Sequence, residues 1–175
     1  MSDLRKAIFI DRDGVINKDY GYVHNKKNFE FINGVFEALN YIQKKNFLII
    51  IITNQSGIGR GFFSIDTFLN LNSWMEKQFL KNGIFIDDTL FCPHSPDQNC
   101  MCRKPSPFLF LKAKEKFNID MGLSWSFGDK ESDITAAKES GVKNTVLVRS
   151  GQLIDEESTK AHFVVDSLIN VKKLI

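Results

Sequence analysis

Residues Phe47 to Ile52 read FLIIII, six apolar positions without a break, four of them β-branched. Six residues are far short of the ~20 needed to span a bilayer, and a surface helix would show a polar face. The run therefore reads as a strand, and a strand apolar at every position is covered on both faces. Such strands belong to parallel sheets, whose crossover helices pack on either side. A chain built around this run must supply further strands and a helix between each pair.

It does. Further strand candidates are KAIFID (6–11), DTLFCP (88–93), SWSFGD (124–129) and NTVLVR (144–149), beside FLIIIIT (47–53), with HFVV (162–165) as a sixth. Helical stretches lie between them at 34–46, 67–83, 108–118 and 132–141. In the first, Val35, Leu39 and Ile42 fall at helical spacing. Ser106 and Pro107 suit an N-cap and first turn, and Gly141 suits a helix stop. The expected fold is α/β: a doubly wound, mostly parallel sheet with helices on both faces, formed by residues 1–175 as one domain. At 175 residues with 43% hydrophobic content, the chain can bury a core without staples.

Composition narrows the partners. The net charge is +2 and Lys and Arg are scattered, which does not suggest nucleic-acid binding. The N-terminus lacks the apolar core and cleavage site of a signal peptide, and three cysteines cannot all pair within one chain. A cytoplasmic location is expected, with no membrane association, and a monomer, since no heptad or large exposed apolar stripe is evident.

In a doubly wound sheet, ligands sit at the carboxyl ends of the strands. Polar residues collect there: Asp11, Thr53, Cys92 and Asp129 each close an apolar run. Asp13 follows Asp11 by two residues, and Gly14 lets the chain turn, so both carboxylates can face one pocket. Paired carboxylates repel, which favours a bound cation or a shared proton; Mg²⁺ takes hard oxygen donors of this kind. Taken alone, each of these features also fits a polar turn. Thr53, Asn54 and the N–H groups before Gly57 suit phosphate oxygens. Arg103 and Lys104 follow the third strand, and Asp133 lies one helical turn beyond Asp129. The longest connection, Arg12 to Asn33, is a candidate functional loop.

All three cysteines, Cys92, Cys100 and Cys102, lie within eleven residues together with His94. A disulfide is disfavoured by the odd count, and a catalytic thiol would need an activating base nearby. Buried inert thiols and a tetrahedral zinc site both remain compatible with this spacing. His24 and His162 have no such neighbours; His24 meets either substrate or solvent.

The order D-x-D-G, T-N, Lys, then G-D-x-x-x-D resembles the haloacid dehalogenase superfamily of phosphotransferases. Within it, FIDRDGVINKDYGYVH, FEFINGV, TNQSGIGRG, CPH with C-x-CRKP, GDK and LVRSG resemble the heptose-bisphosphate phosphatase family, over roughly residues 5 to 155. The resemblance implies hydrolysis of the 7-phosphate of a heptose 1,7-bisphosphate, for nucleotide-activated heptose synthesis, without a large cap domain. It implies Asp11 as nucleophile and Asp13 as acid and base. Thr53 and Lys104 would stabilise the phosphoryl group, and Asp133 would orient Lys104 or a metal-bound water. It implies Mg²⁺ held by Asp11, the Asp13 carbonyl and Asp129, and structural zinc held by Cys92, His94, Cys100 and Cys102. Substrate contacts carried over are Asp19, Tyr20, Gly21, Tyr22, Thr53, Asn54, Gln55, Ser56, Arg103, Lys104 and Lys130. Residue 20 departs from the pattern, being Tyr where relatives often have His. A histidinol-phosphate phosphatase shares D-x-D and the cysteine loop and stays open as an alternative. So does a non-catalytic phospho-receiver module, which would lack an acid/base residue such as Asp13 two positions beyond its phosphorylated Asp.

Overall fold

The computed structural model describes residues 4–175. Six strands, β1 (Ala7–Ile10), β2 (Leu48–Asn54), β3 (Asp88–Cys92), β4 (Trp125–Gly128), β5 (Asn144–Val148) and β6 (Phe163–Val165), form one sheet. Their order is β3-β2-β1-β4-β5-β6, and every neighbouring pair is parallel. The apolar run supplies β2, buried from Leu48 through Thr53. The expected α/β fold is what forms, entirely parallel rather than mostly so.

Strand alternation divides the core. Ile8, Ile10, Ile49 and Ile51 face α1 (Val35–Lys44), α3 (Ile65–Lys81) and the C-terminal turns. Ala7, Phe9, Leu48, Ile50 and Ile52 face α4 (Phe108–Phe117) and α5 (Glu131–Glu139). Burying an Ile or Phe side chain contributes roughly 1.5–3 kcal/mol, so the residues on both faces of the central strands supply much of the core's stabilisation. A short helix, α2 (Ser56–Gly59), follows β2 directly.

Element ends differ locally from the sequence reading. Helix α3 begins two residues earlier than Thr67, because the Ser64 hydroxyl accepts the Thr67 N–H at 3.1 Å and caps it. At α4, Pro107 and not Ser106 occupies the cap position. Ser106 Oγ still accepts from the Phe108 N–H at 3.3 Å while donating to the Met101 carbonyl. Gly141, at φ +94°, does end α5. A 3₁₀ segment at Leu168–Lys173 was not expected; Leu168 and Val171, three apart, are buried against the α1 side of the core.

The topology places the site. The chain runs from β1 outward through β2 and β3, then returns to the other side of β1 for β4, β5 and β6. The strand order therefore reverses between β1 and β4, and a crevice opens beyond their carboxyl ends. Asp11 and Asp129 are the first residues past those two ends. No helix of the described residues is long and apolar enough to cross a membrane.

Candidate active site

Asp11 extends β1 by one residue, its N–H donating to the Phe127 carbonyl at 3.0 Å. Lys104, only 4% exposed, reaches it from the loop after β3. The Lys104 ammonium lies 3.0 Å from Asp11 Oδ1 and 2.6 Å from Asp133 Oδ1, and donates to the Ile52 carbonyl at 2.6 Å. Its three protons are thus all engaged. Burial alone would lower the Lys104 pKa, but Asp11 and Asp133 outweigh it and raise it, so the cation persists. Burial raises Asp11, and Lys104 opposes that rise.

Asp129 is fully buried, with Oδ2 accepting the Gln152 N–H at 3.0 Å. Its Oδ1 has no hydrogen-bond partner among the described residues. Burial, and then the nearby Asp11 charge, push its pKa up to about 8. A cradle is built for it: a Cβ at Gly14 or Gly151 would fall 2.3 or 2.2 Å from Oδ2. Asp11, Asp129 and Asp133 bring carboxylate oxygens within 4.8 Å of one another. Both Asp133 oxygens are occupied, by Lys104 and by the Lys130 N–H at 3.0 Å, so spare oxygens remain on Asp11 and Asp129. A donor set of hard oxygens with one orphaned member fits a divalent cation such as Mg²⁺.

Asp13 is turned differently from Asp11. Its carboxylate accepts from Arg12 Nη2 at 3.0 and 2.9 Å, Asn17 Nδ2 at 3.0 Å and Gln55 Nε2 at 2.9 Å. The same Gln55 amide donates to Thr53 Oγ1 at 2.9 Å, linking the end of β2 to Asp13. Asn54 clamps the Lys104 backbone in a reciprocal amide pair, 3.1 Å in each direction. Its side chain therefore holds the loop that delivers Lys104.

These groups border a cavity of about 260 Å³ lined by Asp11, Asp13, Thr53 and Lys104. Asp19, Gly21, Tyr22, Asn54, Gln55, Ser56, Arg103 and Lys130 complete the predicted wall, and Ser132 and Asp133 join it. Asp19 is anchored: its Oδ2 accepts from Gln152 Nε2 at 2.7 Å and lies 3.5 Å from Lys130 Nζ. Burial would raise its pKa, but the Gly21 N–H, Gln152 and Lys130 hold it below the usual value. Tyr20 is not among the lining residues; its hydroxyl donates to Glu30 at 2.6 Å on the outer side of the loop. His24 also lies outside, stacked on Phe63 with ring centres 5.0 Å apart. It borders a larger groove of about 540 Å³ beside Trp74, which holds none of the carboxylates. His162 Nδ1 sits 3.0 Å from Thr145 Oγ1, beside the start of β6.

The thiol cluster forms beside this cavity. Cys92, at the end of β3, lies 3.5 Å from Cys100 sulfur to sulfur, and Cys100 lies 3.7 Å from Cys102. His94 Nδ1 is 3.6 Å from Cys92 Sγ and 3.3 Å from Cys102 Sγ. A zinc tetrahedron with Zn–S bonds of ~2.3 Å has edges of ~3.8 Å, so these spacings match. All three thiols are free of disulfides. Burial would raise Cys100, but its sulfur neighbours and nearby N–H groups bring it down to about 7, whereas burial pushes Cys92 up. The backbone leaves the cluster at Cys102 and passes straight to Arg103 and Lys104.

Four contributors were missing from the sequence reading: Arg12, Asn17, Ser132 and Gln152. The motif LVRSG pointed to the right loop for Gln152. For Arg12 and Asn17, only their place beside D-x-D gave any signal.

Comparison with known proteins agrees with this geometry. A HAD-hydrolase-like family model matches residues 101–171. The D-glycero-beta-D-manno-heptose-1,7-bisphosphate 7-phosphatase of Pasteurella multocida is 44% identical, covering 98% of this chain and 97% of its own. The Vibrio cholerae protein of the same name is 45% identical, with 95% and 94% covered. Among solved structures, a D,D-heptose 1,7-bisphosphate phosphatase from B. bronchiseptica, complexed with magnesium and phosphate, superposes with a TM-score of 0.85 at 28% identity. It covers 97% of both chains. By full-length similarity and by the arrangement of its site, the chain belongs to the heptose-1,7-bisphosphate 7-phosphatase family of the haloacid dehalogenase superfamily.

Proposed function

We propose that this protein hydrolyses the 7-phosphate of D-glycero-β-D-manno-heptose 1,7-bisphosphate, in the synthesis of nucleotide-activated heptose. The observation that carries this reading is the pairing of Asp11, held by Lys104, with Asp13, held apart by Arg12 and Gln55, on one cavity. The β configuration comes from the names of the relatives; the motifs alone left the anomer open.

In the first displacement a carboxylate oxygen of Asp11 attacks phosphorus. The Asp11–phosphorus bond forms as the bond to the sugar oxygen breaks, and that oxygen takes a proton from Asp13. In the second, Asp13, now ionised, takes a proton from water as the water attacks phosphorus. Asp11 leaves as a carboxylate and the site is reset. Lys104 engages Asp11 Oδ1 and so helps fix the orientation of the nucleophile. Thr53 and Lys104 offset charge on the transferring group. Mg²⁺, held by Asp11, Asp129 and the Asp13 carbonyl, would supply charge that offsets repulsion between nucleophile and phosphate. Arg103, Lys130 and the Asp19–Tyr22 loop would grip the rest of the sugar bisphosphate.

A structural zinc held by Cys92, His94, Cys100 and Cys102 would brace the loop that aims Arg103 and Lys104. Such thiolate sites persist where thiols stay reduced, which agrees with a cytoplasmic protein. Residues 1–175 are taken as one domain, acting as a monomer.

The test is phosphate release from both heptose bisphosphate anomers and from histidinol phosphate, with Mg²⁺ present and chelated. The expected result is a higher kcat/KM for the β anomer than for either alternative, abolished by chelation. A higher kcat/KM for histidinol phosphate would overturn the assignment.

A further inference from the structure

Arg12 has no exposed surface. Burying a guanidinium is costly unless it is fully paired, yet Nε and Nη1 have no hydrogen-bond partner among the described residues. All of its polar contacts pass through one nitrogen. Nη2 donates to Asp13 Oδ1 and Oδ2 at 3.0 and 2.9 Å, to the Val23 carbonyl at 2.8 Å and to Gln55 Oε1 at 3.4 Å. The rest of the group lies between Phe29 and Phe68, 5.9 and 5.6 Å from their ring centres. Those faces recover part of the desolvation cost.

An apolar side chain of similar length would fill that aromatic slot without the cost, since apolar replacement of buried charges is often neutral or stabilising. The charge is thus explained by its contacts at the Asp13 end. We infer that Arg12 is a positioning residue that fixes the Asp13 carboxylate and ties it to the substrate loop through Val23. Val23 follows Tyr22, which lines the cavity in a left-handed conformation at φ +50°. One buried nitrogen therefore joins the wall that meets the sugar to the group that handles the leaving-group proton. Gln55 supports both, accepting from Arg12 while donating to Asp13. The inference rests on the reading of Asp13 as acid and base.

The experiment uses an aryl phosphate with an excellent leaving group, 2,4-dinitrophenyl phosphate. Its aryloxide departs without a proton, so formation of the aspartyl-phosphate needs no acid, whereas water attack still needs the Asp13 base. Wild type, Asp13→Asn, Arg12→Met, Arg12→Lys and Asp13→Asn/Arg12→Met are mixed rapidly with this substrate and Mg²⁺. For both Arg12 variants we expect a dinitrophenolate burst matching the enzyme concentration, then steady turnover slowed by about 10²-fold, the scale for a misplaced catalytic group. The double variant should be no slower than Asp13→Asn alone. A purely structural role would instead shrink the burst while keeping the wild-type rate per active site. That outcome overturns the inference while leaving the function standing, provided Asp13→Asn still shows a burst and stalls. If Asp13→Asn turns over like wild type, the reading beneath the inference falls instead.

Discussion

Replacing Lys104 with methionine removes one buried cation while keeping the length of the side chain. At an effective dielectric near 20, its contacts at 3.0 Å with Asp11 and 2.6 Å with Asp133 carry about 5–6 kcal/mol of attraction each. Desolvation of three charged groups cancels much of that. The measurable quantity is the cost of leaving Asp11 and Asp133 unpaired, about 3–5 kcal/mol for a broken buried pair. Both carboxylates are less than a tenth exposed, and Asp129 lies close by. Burial raises the Asp11 pKa and Lys104 opposes that rise, so without Lys104 the Asp11 value should climb further above that of the unfolded chain. The native state then binds more protons than the unfolded state, so stability falls as pH rises through that interval. Urea unfolding without metal should show the deficit at about pH 7 and a smaller one at about pH 5. Adding Asp133→Asn should recover at least about 1 kcal/mol by removing one stranded charge. A loss below about 1 kcal/mol, equal at both pH values, would refute the view that Lys104 neutralises this cluster.

Three other outcomes are expected. Gly151→Ala places a Cβ 2.2 Å from Asp129 Oδ2, so calorimetry should show Mg²⁺ binding weakened by at least about tenfold; unchanged affinity would mean that Asp129 is not a ligand. Cys102→Ser should lower the melting temperature by about 4–8 °C, equivalent to about 2 kcal/mol at this chain length. It should also raise KM for the sugar bisphosphate, with Mg²⁺ affinity less affected; unchanged folding and kinetics after demonstrated zinc loss would contradict the bracing role. Burial holds Asp129 protonated up to about 8, so metal-free stability should decline as pH rises from its ordinary value toward that point. Mg²⁺ competes with this proton, and the melting-temperature gain it confers should grow between about pH 6 and about pH 8; a gain independent of pH would count against the site.

What could be read in advance depended on how local each signal was. All six strands were legible because each is a short apolar run, and Asp11, Thr53, Cys92 and Asp129 mark the ends of the first four. The thiol cluster was legible because Cys92, His94, Cys100 and Cys102 are close along the chain. Contacts between distant segments were not. Nothing in the sequence shows that Arg12 is buried against Phe29 and Phe68, which are far from it along the chain. Asn54 reads as a phosphate-binding amide and Gln55 is carried over as a substrate contact, but the sequence does not show their partners within the fold: Gln55 donates to Asp13 and Thr53, and Asn54 pairs with the Lys104 backbone. Tyr20 does not line the cavity in this structure; its hydroxyl donates to Glu30, which the Asn17–Phe31 bridge brings alongside.

The central claim is that Asp11 carries the phosphoryl group from the sugar to water. The most direct test mixes Asp13→Asn with 2,4-dinitrophenyl phosphate, whose departure needs no acid, and Mg²⁺, quenches in acid, and maps the peptides by mass spectrometry. A phosphoryl adduct on the peptide bearing Asp11, absent when Asp11 is also changed to Asn, is the predicted result. Phosphate release with no adduct, or an adduct on a different residue, would contradict it.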